Sequence, residues 1–75
     1  MWNYRIIHAS DGSVGVYEVY YENFVPVLRA TDAVSLCFKT YKALKDDMDR
    51  IKVAIQKRPM LETEDKNGWS LTNMI

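Results

Sequence analysis

The chain has 75 residues, ten of them basic and ten acidic, with 48% hydrophobic residues and a formal net charge of +0. That length makes one small domain, burying roughly 60% of the surface its unfolded chain exposes, and the apolar content excludes disorder throughout. Without a basic block the chain is not expected to track a phosphate backbone, and no stretch approaches the roughly 20 apolar residues of a membrane span.

The opening Met1-Trp2-Asn3-Tyr4-Arg5 lacks the layout of a signal peptide. A single cysteine, Cys37, excludes an internal disulfide framework. The expected setting is cytoplasmic. A near-neutral chain is also poorly protected against self-association.

The first element is a hairpin from Trp2 to Tyr21, folded at Asp11-Gly12. Asp-Gly between two β-rich runs signals a two-residue type I′ turn, because both central residues need a positive φ. With Ser10 opposite Ser13, the pairing runs Ile7–Val16, Ile6–Tyr17, Arg5–Glu18, Tyr4–Val19 and Trp2–Tyr21. That register puts Trp2, Tyr4 and Ile6 on one face with Tyr17, Val19 and Tyr21. It also sets Arg5 beside Glu18 on the other face, as a wet ion pair.

Glu22-Asn23 is the next turn, either tight through Asn23 or a four-residue loop through Val25. Both versions place Leu28 on the Tyr17/Val19/Tyr21 face. Pro26 cannot donate to a ladder, so the third strand, around Phe24–Ala30, is expected at an edge.

Tyr41, Leu44, Met48, Ile51 and Ile55 recur at spacings of three, four, three and four, which marks one face of a helix. Lys57-Arg58 and then Pro59 end it. Thr40 as N-cap gives a helix of ordinary length and is favoured. Asp32 would cap a longer one, since Val34, Cys37 and Phe38 extend the stripe backwards. Residues 1–61 then form one domain. Residues 62–75 read as a polar loop followed by an apolar arm, Trp69, Leu71, Met74 and Ile75, docked on this chain or on another.

The expected fold class is α+β, a three-stranded antiparallel β-meander packed against one long helix, with a loosely ordered C-terminal tail. One helix covers one face of a sheet. On the other, Ile7, Val16, Tyr20 and Val27 sit among polar residues, and with Trp69 they form the candidate interface. Scattered surface Val and Tyr are also common and need no partner.

Chemistry is thinly represented. His8 near Asp11 has the groups for acid–base work, but a turn-flanking His beside an Asx turn is commoner. Cys37 reads as a small buried hydrophobe. Asp46, Asp47 and Asp49 lie among Lys45, Arg50 and Lys52 as i,i+3 and i,i+4 partners. No metal-ligand spacing, glycine-rich phosphate loop or nucleophile elbow is present, so no catalytic, cofactor or metal residue is assigned. The leading expectation is a non-enzymatic protein-interaction module, a homodimer or bound to another protein, with no nucleic acid or membrane. The alternative is a small ligand-binding or accessory enzyme subunit using the hairpin end at His8 and Asp11.

Three elements carry a resemblance: Trp2-Asn3-Tyr4-Arg5; Glu18-Val19-Tyr20-Tyr21 with Pro26 soon after; and Leu44, Asp47-Met48 and Ala54-Ile55 leading to Pro59-Met60-Leu61. As an ordered set over residues 1–61 they resemble a family of small uncharacterised bacterial proteins. The resemblance implies a small α+β domain with a Ser or Thr ahead of the helix, matched by Thr40, and no assigned activity. The chain departs from the pattern in a shorter turn after Tyr21 and an unusually apolar Thr31–Lys39 segment.

Overall fold

Five strands and one helix follow one another as β1 (Trp2–His8), β2 (Val14–Glu22), β3 (Val25–Arg29), α1 (Tyr41–Gln56), β4 (Met60–Asp65) and β5 (Gly68–Asn73). The structure is a computed structural model that describes Met1–Met74; Ile75, counted above with the apolar arm, lies outside the described residues. The strands form one sheet in the order β3-β2-β1-β4-β5. β1 pairs antiparallel with β2 and parallel with β4, so the sheet is mixed. It curls until β3 approaches β5 across an open seam, giving a nearly closed barrel with α1 packed outside on β1. Among the described residues no helix is long and apolar enough to cross a membrane.

This corrects the expected three-stranded meander with a loose tail. The tail is the β4–β5 hairpin, turning at Lys66-Asn67 ahead of Gly68, whose φ of 116° is left-handed. Met60 and Glu62 alternate with outward Leu61 and Thr63 on β4, and Trp69 and Leu71 alternate with Ser70 and Thr72 on β5. Period-two alternation of this kind is the strand signal. Met60, Glu62 and Leu71 are all buried.

The first hairpin is also in a different register. Ala9 and Ser13 close the turn through an Ala9 N to Ser13 O bond of 2.8 Å, and Gly12 N donates to Ala9 O at 3.0 Å. The loop is therefore three residues, Ser10-Asp11-Gly12, with Gly12 at φ 91°. This is the type I turn with a glycine bulge, the next commonest hairpin connection after the two-residue turns. One extra loop residue moves the pairing by one, to Arg5 with Tyr17, Ile7 with Gly15 and Trp2 with Tyr20. A slip of one exchanges the faces of one strand relative to the other.

Consequently Ile7, Tyr17 and Val19 point into the barrel, where they form the core with Met60 and Leu71, flanked by Tyr21 and Trp69. Arg5 points inward too. Its guanidinium donates to Arg58 O at 2.7 Å and to Asn73 Oδ1 at 2.8 Å, so the expected Arg5–Glu18 ion pair does not form. Trp2, Tyr4 and Ile6 lie on the outside of β1, the side on which α1 packs, with Glu18 and Tyr20 on the same side of β2. Leu28 pairs with Tyr20, not with the Val19 face, and is exposed.

The helix begins where Thr40 caps it, its Oγ1 accepting from Ala43 N at 3.1 Å. Its packing face is rotated from the apolar stripe. Asp47 and Ala54 are the buried positions, with Leu44 and Ile51 half-buried beside them, while Tyr41, Met48 and Ile55 face solvent. Tyr4 causes the rotation: its hydroxyl donates to Asp47 Oδ1 at 2.6 Å and draws that carboxylate onto β1. Burial, the bond and the Asp47 charge push the Tyr4 phenol up to about 12. Cys37, expected to be buried, is exposed in the segment before the helix.

Candidate functional site

The barrel seam holds a groove of about 570 Å³ lined by Val27, Leu28, Arg29, Thr31, Glu62, Glu64 and Trp69. Three strands supply its walls because of alternation. Arg29 pairs with Val19 and so shares the barrel-facing side, and Glu62 and Trp69 do the same on β4 and β5. Where the ladder stops, side chains join the two edges.

Glu62 is the joint. Its Oε2 accepts from Arg29 Nε at 2.5 Å and Trp69 Nε1 at 2.7 Å; its Oε1 accepts from Ser10 N at 3.0 Å, Ser10 Oγ at 3.1 Å and Arg29 Nη2 at 3.1 Å. A carboxylate this deeply buried persists as an ion only when a guanidinium and several donors replace its water. The Arg29 fork first, then the Ser10 and Trp69 donors, hold its carboxyl at about 2, well below the ordinary range. Arg29 is itself fixed from below, its guanidinium 4.6 Å from the centre of the Tyr17 ring. Every lone-pair direction of Glu62 is thus engaged with protein, which makes it a structural latch and leaves it no free valence for catalysis.

The rim has the opposite character. Phe24, Val25, Val27 and Leu28 are all exposed along β3 and its entry turn. The turn is Asn23-Phe24, with φ values of 51° and 64°. A type I′ turn favours Asn-Gly at these two places. Here a phenylalanine, 86% exposed, takes the left-handed position where glycine costs nothing. Pro26 leaves the strand without a donor at that point, so this edge meets a neighbour through side chains more readily than through a ladder.

The five expected interface residues are dispersed. Ile7 is 0% exposed in the core and presents no surface. Val16 and Tyr20 are half-buried on the outer side of β2, where Tyr20 donates its hydroxyl to Glu18. Only Val27 and Trp69 come together, both lining the seam. His8 is half-buried at the end of β1, opposite Val14. The Asp11 carboxylate accepts from Ser13 N at 2.9 Å and Ser13 Oγ at 2.6 Å, bonds that hold its carboxyl below the ordinary range. It serves the turn and does not join His8 in a site. Asp46 pairs with Lys42 at 2.7 Å, and Asp47 lies 3.6 Å from Arg50.

Sequence reasoning missed Arg29 and Glu62: Arg29 falls within the expected edge strand with no role assigned, and Glu62 within the expected polar loop. The available signal was the alternation of Met60, Glu62 and Glu64 before Asn67-Gly68, answered by Trp69 and Leu71 after it. No protein-family model matches the chain, and no curated protein or solved structure does so either.

Proposed function

We propose that this chain is a non-enzymatic protein-interaction module that self-associates through the seam, docking the Val27, Leu28 and Trp69 rim of one copy against that of another. The observation that carries this reading is the pairing of a large groove with the most exposed apolar strand of the sheet. Far more large apolar side chains lie on the surface than in the core among the described residues, and exposed patches of that kind mark interfaces. Zero net charge places no long-range repulsion between copies. The Arg29–Glu62 pair cancels two of the groove's charges, so Glu64 is the remaining acid beside the apolar Val27, Leu28 and Trp69. The exposed single thiol of Cys37 suits a reducing, cytoplasmic setting.

Light scattering across a wide range of concentration tests this. The expected result is a dimer that Leu28→Lys dissociates and Met48→Lys, on the exposed flank of α1, leaves unchanged. Removing residues 62–75 is not an informative variant, because it deletes β5 and all of β4 but Met60 and Leu61. A monomer at every concentration, or a dimer indifferent to Leu28→Lys, contradicts the proposal.

A further inference from the structure

The outer flank of α1 carries a second surface that the seam does not use. Tyr41, Leu44, Met48, Ile51 and Ile55 have the three-four spacing of a heptad seam. Leu44 and Ile51 lean half-buried toward the sheet, but Tyr41, Met48 and Ile55 are 79%, 44% and 62% exposed. The stripe is built for helix packing and only half of it is packed.

Nothing else in the described chain covers it. β4 and β5 are committed to the sheet. The segment before the helix runs along β2, with Val34 N donating to Val16 O at 2.8 Å. An occupant must come from outside.

Charge narrows the choice. In a helical projection the stripe has two borders. One holds Asp47 and Ala54, buried against β1. The other holds Lys45 and Lys52, both exposed and neither in an ion pair among the described residues. A second copy in antiparallel alignment sets lysine rows beside each other, and parallel alignment needs the border already buried on β1. Like charges beside a helical seam select against a partner as opposite charges select for one. Asp46 and Asp49 lie beyond the lysines on the solvent side, which disfavours an anionic membrane surface.

We infer that the Tyr41/Met48/Ile55 flank of α1 docks an amphipathic helix of another protein, with an apolar stripe bordered by acidic side chains facing Lys45 and Lys52. This goes beyond the proposed self-association, uses a different surface and survives if that reading fails.

The test uses two designed helical peptides with identical leucine seams, one flanked by glutamate and one by lysine, titrated into the full chain and followed by amide NMR. The glutamate peptide is expected to bind about tenfold or more tightly than the lysine peptide. Its shifts should centre on Tyr41, Met48 and Ile55, and Met48→Lys should abolish them. The double variant Lys45→Glu, Lys52→Glu should reverse the preference between peptides while leaving any dimer at the seam intact. Equal affinity for both peptides, no binding of either, or a preference unmoved by the charge reversal overturns the inference. So does binding of anionic phosphatidylserine vesicles through the same residues, or rapid disulfide dimerisation of Met48→Cys in a Cys37→Ser background, which identifies a membrane or a second copy as the occupant.

Discussion

Glu62 decides whether the barrel holds at its seam. It gathers the first hairpin loop, β3 and β5 through five donors. Replacement by glutamine keeps the shape but leaves the Arg29 guanidinium facing an amide, and this is expected to cost about 3 kcal/mol of unfolding free energy. Chemical denaturation of Glu62→Gln measures that loss. The same residue sets an acid limit. Its carboxyl lies at about 2 when folded against an ordinary 4.5, so its contribution is complete above pH 4.5 and disappears as pH falls toward 2. Linkage puts the contribution at about 3 kcal/mol. Stability of the native chain should therefore fall over that window, and the Glu62→Gln variant should show a flatter acid limb.

Turns set the arrangement of the elements. Whether Asp11-Gly12 makes a two-residue or a three-residue loop cannot be told from the dipeptide, because Gly12 serves as the left-handed residue in both. Both registers also yield a credible face: the two-residue version aligns aromatics, and the three-residue version buries Ile7 with Val19. The second prevails because β4 and β5 close over that side and bury it completely. The turn ahead of β3 holds the opposite lesson, since Phe24 occupies a position that glycine fills without strain. Phe24→Gly is expected to raise stability by up to about 1 kcal/mol despite the loss of a side chain, with the gain measured as a rise in Tm. At the helix, Thr40→Ala should lower stability by about 1 kcal/mol, because Ala43 N loses its acceptor. Circular dichroism during thermal unfolding reads this change directly.

At the scale of the whole molecule, the sequence speaks for local pieces and is silent on how they close. Helix span, cap and stop were legible because capping chemistry and Pro59 act within a few residues. The barrel was not, since Glu62 through Gly68 reads as one polar, turn-like run, and a buried charge such as Glu62 imitates a solvent-facing one until Arg29 is placed against it. The helix stripe was legible as a stripe, but its orientation was not, because the Tyr4–Asp47 bond that rotates it spans 43 positions. Of the residues expected at an interface, Val27 and Trp69 line the seam together, and the one-residue slip buries Ile7 in the core. The resulting molecule encloses a small, partly ionic core and leaves its apolar surplus outside, on β3 and on the helix flank.

Amide spectra recorded over a dilution series test the self-association reading most directly. Shifts that move with concentration should map to Val27, Leu28, Thr31, Glu64 and Trp69 around the seam. Spectra invariant on dilution, or changes centred on Val14 and Val16 or on Tyr41 and Met48, would contradict it.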